Sequence, residues 1–271
     1  MTPIQFARNA LAEADALLIT AGAGMGVDSG LPDFRGKEGF WRQYPQFAKL
    51  GLSLAAAANP RWFTEDPFLA WGFYGHRLKL YRNTTPHYGF QLLQEAARRM
   101  PAGYFVVTSN VDGHFEKAGF DSSRIYEIHG SIHSLQCSTP CHQFLWSADG
   151  LHVDFNPVDF RATSHLPVCL QCHEICRPNI LMFDDWAWLG HHSYEQKCDF
   201  EFWLDSIHAK RLVIIECGAG TAIPSIRMIS EKVTKRTGGT LIRINPRDFD
   251  VPSGQIAIPC GALDGISQLF L

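Results

Sequence analysis

The stretch that most constrains the fold of this chain is an apolar run, residues 16–20, that leads directly into closely spaced glycines. A buried strand followed by glycines lets backbone N–H groups approach a ligand without obstruction from Cβ atoms, as binding of a pyrophosphate requires. The spacing Gly22-x-Gly24-x-x-Val27 lacks the third glycine of the dinucleotide fingerprint, and no acidic residue follows at the usual distance. On these glycines alone, a nucleotide-binding turn and an ordinary strand-to-helix turn both remain open.

The residues just beyond this turn favour the nucleotide interpretation. The stretch Leu31-Pro-Asp-Phe-Arg-Gly36 places an aromatic ring and a cation close to the glycines. The guanidinium of Arg35 can pair with phosphate oxygens, and the side chain of Phe34 can cover a ring. We therefore expect a nucleotide site after the first strand.

Apolar strands alternate with helical patterns along the chain. The predicted strands are 16–20, 104–108, 212–217 and 241–245, with a short strand at 125–131 and a last strand and helix at 255–270. Continuous apolar strands are typical of a parallel sheet that is covered on both faces. The predicted fold class is α/β, with a Rossmann-like doubly wound parallel sheet that binds its ligands at the carboxyl ends of the strands.

Two insertions in this pattern, at roughly 37–82 and 130–180, predict a smaller module. The first insertion is rich in aromatic residues and punctuated by prolines, which indicates short helices folded over the glycine turn. Most of these aromatic rings are expected in the core, and a minority along a substrate channel. The second insertion contains clustered cysteines and little periodicity, which predicts an irregular loop around a metal.

The cysteine cluster has the spacing Cys137-x3-Cys141 and Cys169-x2-Cys172 across a spacer of 27 residues. Four thiolates in two close pairs suit a closed tetrahedral Zn²⁺ site, which is structural because it keeps no open position. Free or oxidised thiols are the alternative for these side chains.

Charge and hydropathy exclude several classes of partner. The net charge of −3 predicts no broad basic surface for nucleic acid or for an anionic membrane. No stretch reaches the roughly 18 apolar residues of a membrane helix, and the N-terminus lacks the pattern of a signal peptide. We expect a cytoplasmic protein with neither nucleic acid nor a membrane as a partner, and its oligomeric state stays open.

The motifs together resemble those of the sirtuins, the Sir2-like NAD-consuming protein deacylases, in a divergent bacterial-type branch. The stretches that carry the resemblance are Gly22-Ala-Gly24, Ser29-Gly-Leu-Pro-Asp-Phe-Arg-Gly36, Thr108-Ser-Asn-Val-Asp-Gly113, His129-Gly130, Arg177-Pro, Phe183 and Ile244-Asn245. The resemblance spans nearly the whole chain. It implies one catalytic domain, 1–271, with NAD as co-substrate and one structural zinc ion. The large Rossmann-like part is 1–36, 83–129 and 181–271, and the small module is 37–82 and 130–180.

The resemblance also implies roles for individual residues. His129 is the implied general base that activates a ribose hydroxyl, which suits a side chain whose pKa lies near neutrality, and Asn110 orients the ribose or a water. The implied cofactor-binding residues are Gly22, Ala23, Gly24, Asp33, Phe34, Arg35, Asn110, Asp112, Gly218, Ala219 and Asn245, the implied zinc ligands are Cys137, Cys141, Cys169 and Cys172, and the implied peptide-binding residues are Phe183 and Asp184. The partner is an acylated protein or peptide.

Several positions depart from the sirtuin pattern, so three hypotheses for the function remain open. The departures are Gly26, Ser109, Asp184 and Ala219-Gly220. The leading hypothesis is an NAD-dependent protein lysine deacylase that releases nicotinamide, deacylated lysine and O-acyl-ADP-ribose. The alternatives are a mono-ADP-ribosyltransferase or NAD glycohydrolase on the same fold, and a module that senses NAD without catalysis. Retention of His129 favours the first.

Overall fold

A computed structural model describes residues 1–33 and 36–271 of the chain. The strands among these residues are β1 (Ala16–Ala21), β2 (Tyr104–Thr108), β3 (Ile125–Glu127), β4 (Gly130–Cys137), β5 (Trp146–Ser147), β6 (Cys176–Ile180), β7 (Leu212–Cys217), β8 (Thr240–Ile244) and β9 (Ile256–Ile258). The helices are α1 (Pro3–Ala12), α2 (Gly36–Gln43), α3 (Pro45–Lys49), α4 (Leu54–Ala57), α5 (Trp62–Glu65), α6 (Pro67–Asn83), α7 (Tyr88–Arg98), α8 (His114–Lys117), α9 (His191–Ser206), α10 (Ser225–Thr237) and α11 (Ala262–Phe270).

The larger sheet has the strand order β3-β2-β1-β7-β8-β9, and all its neighbouring strands are parallel. One face packs against α1, α7 and α11, and the other against α9 and α10. Every residue of β1 and β7 is buried, which explains why the sequence shows continuous apolar runs there. The predicted doubly wound parallel sheet is confirmed.

The start of helix α7 is tied to the turn after β1. His87 caps this helix because its Nδ1 accepts a hydrogen bond from the N–H of Gly89 (3.0 Å). Its Nε2 lies 3.0 Å from the carbonyl oxygen of Met25, and its backbone N–H donates to the hydroxyl of Ser29 (2.9 Å). The histidine therefore has a structural role.

The smaller layer combines helices α2 to α6 with an antiparallel sheet of order β5-β4-β6. Its core is largely aromatic and includes Phe40, Tyr44, Phe47, Phe63, Trp71, Phe73 and Tyr74. The predicted helices of the first insertion are confirmed. The second insertion is more regular than predicted, because strands β4, β5 and β6 pair within it. The bounds given above for the two parts of the catalytic domain stay a prediction.

The predicted strand 125–131 is wrong as a single element. Strand β3 ends at Glu127, and β4 begins at Gly130 in the other sheet. The chain turns sharply at Gly130, where φ is +71° and a Cβ atom would lie 2.1 Å from the carbonyl oxygen of Asn179. His129 consequently lies at the junction between the two sheets.

A bilayer-spanning helix needs both length and apolar character. Within residues 1–33 and 36–271, no helix combines the two.

Candidate active site

A cleft lies at the carboxyl edge of the larger sheet, beside strands β1 and β7. Strands β2 and β3 follow on one side of this point and β8 and β9 on the other, so the strand order reverses here. Open α/β sheets bind their ligands at such a switch point. The cleft has a turn pocket of about 420 Å³ and a tyrosine pocket of about 170 Å³. The turn pocket is lined by residues of two glycine turns, 22–24 after β1 and 218–220 after β7, and the tyrosine pocket is lined by Tyr74 and Tyr81. The residues that line both pockets are Ala23, Leu54, Ser109, Asn110, His129 and Ile223.

The two glycine turns pack backbone against backbone at this edge. The N–H of Gly24 donates to the carbonyl oxygen of Gly218 (3.0 Å). A Cβ atom on Gly24 would lie 2.7 Å from the Cα of Gly218, and one on Gly22 would lie 2.8 Å from the Cα of Ala219. Gly218 has φ +63°, and a Cβ atom there would lie 2.3 Å from the carbonyl carbon of Gly24. Glycine is required at these positions because the turns touch each other.

Substituting Gly218 by alanine should therefore separate the two turns. We expect a lower melting temperature and weaker NAD binding than in the parent, measured by thermal denaturation and calorimetry. The matched control is Gly238→Ala, because Gly238 also has positive φ (+69°) but nothing lies within 4 Å of its added Cβ. The control should cost about 1 kcal/mol of stability through backbone strain and leave NAD affinity unchanged. Equal effects of the two substitutions on NAD affinity would contradict the packing argument.

Asn110 is held at the cleft by the end of strand β2. Its side-chain Nδ2 donates to the carbonyl oxygen of Gly22 (3.0 Å), and its backbone N–H donates to the hydroxyl of Thr108 (3.0 Å). These bonds join the carboxyl ends of β1 and β2. The amide of Asn110 therefore has a defined orientation where the two pockets meet.

His129 lines the same meeting point of the two pockets. Burial lowers the pKa of its imidazole from the ordinary value of 6.5, and this outweighs a hydrogen bond with the backbone of Ser109, which raises it. The ring is therefore mostly neutral at pH 7 and can accept a proton. The backbone carbonyl of His129 accepts a hydrogen bond from the N–H of Leu181 (2.9 Å). The histidine is thus fixed from both sheets.

Asp112 lies in the wall of the tyrosine pocket and is 9% exposed. Its Oδ1 accepts a hydrogen bond from the backbone N–H of His114 (2.9 Å). Its carbonyl oxygen lies 3.0 Å from Nε2 of His133. The carboxylate is therefore oriented by backbone, and Asp112 lines the same pocket as His129 and Asn110.

The tyrosine pocket contains a cation, Arg77, that is not among the site residues predicted from the sequence. Arg77, 9% exposed, donates from Nε (3.1 Å) and Nη2 (2.9 Å) to the hydroxyl of Tyr81. Its guanidinium carbon lies 5.4 to 5.5 Å from the ring centres of Phe73, Tyr74 and Tyr81. The hydroxyl of Tyr74 is buried and has no hydrogen-bond partner among the described residues. The sequence feature that could have identified this cation is the position of Arg77 within the aromatic stretch of α6.

Asp33 and Asn245 occupy different positions relative to the turn pocket. Asp33 lines it, and its Oδ2 lies 2.9 Å from Nη2 of Arg247. Asn245 is fully buried: its Nδ2 donates to the carbonyl oxygen of Ala219 (2.8 Å), and its Oδ1 accepts from the N–H groups of Arg247 and Asp248 (3.0 Å each). The side chain of Asn245 thus links the second glycine turn to the residues that follow β8.

The predicted residues Phe34 and Arg35 lie outside the described residues. Among the other predicted cofactor-binding residues, those that line the turn pocket are Gly22, Ala23, Asp33, Asn110, Gly218 and Ala219. The structure therefore brings together residues from four separate stretches of the sequence.

The four predicted zinc ligands form one cluster. The sulfur atoms of Cys137, Cys141, Cys169 and Cys172 all lie within 4.8 Å of one another. The Sγ atoms of Cys137 and Cys172 are 3.5 Å apart, and those of Cys141 and Cys169 are 3.6 Å apart. Sulfur ligands about 2.3 Å from a tetrahedral zinc ion lie roughly 3.8 Å from each other. The four cysteines therefore fit one structural zinc ion.

The predicted peptide-binding residues are neighbours in sequence, and the first of them lines the tyrosine pocket. Phe183 lines this pocket, and its backbone N–H donates to the carbonyl oxygen of Ala58 (3.0 Å). Asp184 has φ +57° and is exposed, with its Oδ2 3.5 Å from Nδ2 of Asn59. Two contacts therefore join Phe183 and Asp184 to residues 58 and 59, which follow helix α4.

Comparison with known proteins gives consistent relatives. A sequence model of the family described as "Sir2 family" matches residues 22–199. A Pyrococcus furiosus protein named NAD-dependent protein deacylase is 28% identical over 237 residues, which cover 87% of this chain and 83% of that protein. A Candida albicans protein of the same name is 25% identical over 292 residues, which cover 94% of this chain and 91% of that protein. The crystal structure of a Sir2 homologue in complex with NAD is 25% identical, covers 98% of this chain and 92% of that one, and has a TM-score of 0.71.

Proposed function

This chain belongs to the Sir2 family, and on that premise we propose that it is an NAD-dependent protein lysine deacylase. The reaction converts NAD, an acylated lysine and one water molecule into nicotinamide, deacylated lysine and O-acyl-ADP-ribose. The observation that carries the proposal is the position of His129, a neutral, partly buried base at the point where the two pockets of the cleft meet. The relatives named NAD-dependent protein deacylase support it.

The cleft offers separate places for the two substrates. We assign NAD to the turn pocket, held by the glycine turns and Asp33, because these turns remove Cβ atoms from the carboxyl edge of the sheet. When bound, NAD supplies the bond between nicotinamide and ribose that is broken. His129 then accepts a proton from a hydroxyl group, and Asn110 orients that hydroxyl or a water. Asp112 lines the tyrosine pocket beside Asn110, and it is oriented to hold the nicotinamide carboxamide where that end of NAD extends past the meeting point of the two pockets.

The tyrosine pocket receives the acyl group in this assignment, and its chemistry favours an acyl group that ends in a carboxylate. Arginine is charged at all physiological pH values, and in a buried pocket its attraction for a carboxylate is weakly screened. The side chains of Arg77 and Tyr74 both line this pocket, and the Tyr74 hydroxyl has no hydrogen-bond partner among the described residues. A terminal carboxylate can accept hydrogen bonds from both, whereas a short neutral acyl group leaves them without that contact.

Replacing Arg77 by methionine should therefore change which acyl group is removed. We expect kcat/KM for a succinyl-lysine peptide to fall by roughly 10- to 100-fold, as expected for loss of a charge-assisted hydrogen bond, and kcat/KM for an acetyl-lysine peptide to fall less or to rise. Arg77→Lys is the matched control because it keeps the charge and should retain part of the preference. Equal losses for both peptides, with an unchanged melting temperature, would show that Arg77 does not select the acyl group.

The proposed function is tested by incubating the protein with NAD and a panel of acetyl-, propionyl-, succinyl- and lipoyl-lysine peptides. Mass spectrometry should show deacylated peptide together with O-acyl-ADP-ribose and nicotinamide. Release of nicotinamide with free ADP-ribose or an ADP-ribosylated protein, and no deacylated peptide, would replace the proposal by the glycohydrolase or ADP-ribosyltransferase alternative. NAD binding without any product would indicate a sensing module.

A further inference from the structure

The loop of residues 181–187, which we name the rim loop, is clamped from inside the protein. Arg177 and Asp185 form a two-contact ion pair, Nη1 to Oδ2 at 2.6 Å and Nη2 to Oδ1 at 2.8 Å, and both side chains are fully buried. The same carboxylate accepts hydrogen bonds from the N–H groups of Met182 and Ala187 (3.2 Å each). A two-contact arginine–carboxylate pair is geometrically specific, so the rim loop has a defined conformation.

The first residues of the rim loop form part of the cleft. Leu181, Met182 and Phe183 line the tyrosine pocket, and the N–H of Leu181 donates to the carbonyl oxygen of His129. The residues that follow therefore lie beside the entrance through which an acylated lysine would reach the pocket. This placement rests on the proposed function.

The residues on either side of buried Asp185 are Asp184 and Trp186, and both have exposed side chains. Asp184 is exposed and adopts φ +57°, a conformation that glycine would adopt without strain. Trp186 is 99% exposed, more than any other large apolar side chain among those described. A carboxylate and an indole ring can both bind a lysine or arginine side chain, the carboxylate through its charge and the indole through its π face.

We propose that Asp184 and Trp186 bind a lysine or arginine side chain of the substrate polypeptide, within three residues of the acylated lysine. The clamp fixes the backbone that carries both groups, so little backbone ordering is required when the substrate binds. An extended substrate segment beside the rim loop would direct alternate side chains toward it. The enzyme would thus prefer acylated lysines in basic sequence contexts.

The proposal is tested with pairs of acyl-lysine peptides that carry arginine or citrulline at each position from three before to three after the acylated lysine. Citrulline keeps the shape of arginine without its charge. At one or more positions the arginine peptide should have a kcat/KM roughly three- to thirtyfold higher, from one exposed ion pair and one exposed cation–π contact. This advantage should shrink with added salt.

Variants separate the two groups. Asp184→Asn should reduce the arginine advantage and most of its salt dependence, whereas Trp186→Ala should reduce the advantage and keep the salt dependence. Phe202→Ala removes another exposed aromatic ring, 78% exposed on α9, and should leave the advantage as in the parent. Equal rates for arginine and citrulline at all positions, or equal effects of Phe202→Ala and Trp186→Ala, would overturn the proposal.

A binding measurement distinguishes this proposal from the proposed function. Fluorescence anisotropy gives the affinity of the same peptides for the His129→Ala variant without turnover. Tighter binding of the arginine peptide that depends on Asp184 and Trp186 would support recognition of basic residues, whether or not any peptide is deacylated. Absence of deacylation by the parent enzyme would count against the proposed function and not against this recognition. Deacylation without any arginine preference in rate or binding would overturn only the recognition of basic residues.

Discussion

Replacing His129 by alanine is expected to lower the rate of peptide deacylation by roughly 100- to 10,000-fold, the usual contribution of a general base. Its imidazole lies where the turn pocket meets the tyrosine pocket, and burial keeps it mostly neutral at pH 7. The measurement is deacylated peptide formed per unit time with saturating NAD. The affinity for NAD should change much less, because the glycine turns that line the turn pocket are unaffected.

The pH dependence of the parent enzyme tests the same role. The base is active when neutral, so the rate should fall as pH decreases through the pKa of His129, and the midpoint of this fall should lie below the ordinary value of 6.5 because burial lowers that pKa. His208→Ala is the control variant, since His208 is exposed in the turn that follows α9. A midpoint well above 6.5, or a similar loss of rate in His208→Ala, would be incompatible with His129 as the base.

Replacing Cys137 by serine is expected to remove the zinc ion and to destabilise the protein strongly. Structural zinc contributes about 10 kcal/mol or more to the folding of zinc-dependent peptides, so partial loss of this contribution should lower the melting temperature by more than about 10 °C. Cys137 is fully buried at the end of β4, next to Cys176 of β6. Loss of the metal should therefore loosen the smaller sheet first.

Metal content by elemental analysis and unfolding by circular dichroism are the two measurements. The expected parent value is about one zinc per chain for a four-thiolate site, and the variant value is close to zero. Cys198→Ser is the matched control because Cys198 is exposed on α9 and outside the cluster. Unchanged zinc content and melting temperature in Cys137→Ser would disprove the metal site.

Much of the fold was readable from local sequence patterns. The strands β1, β2, β7 and β8 were predicted to within one residue at each end, because a strand buried on both faces needs an unbroken apolar run. The four cysteines were identified by spacing alone, since two close pairs place four sulfur ligands around one ion. The short helices of the first insertion were predicted from aromatic and proline content.

Other features depend on contacts between distant residues and have no local signal. The apolar stretch around Ile125 looks like one strand, yet Gly130 turns it into a second sheet because Asn179 leaves no room for a Cβ atom. Asn245, which the resemblance implies as a cofactor-binding residue, uses its amide to hold the second glycine turn. Both outcomes were decided by a partner far away in the sequence.

The sequence by itself determined the sheet, the glycine turns, the metal ligands and the stretches that hold Asn110, Asp112 and His129, because each follows from hydrophobic pattern, spacing or side-chain type. Only the tertiary structure decided what these stretches share. It packed the two glycine turns against each other, placed His129 between the two sheets, and brought Arg77 of α6 into the same cleft. The physical reason is that a pocket is formed by packing between elements, and packing is not encoded in the period of any one of them.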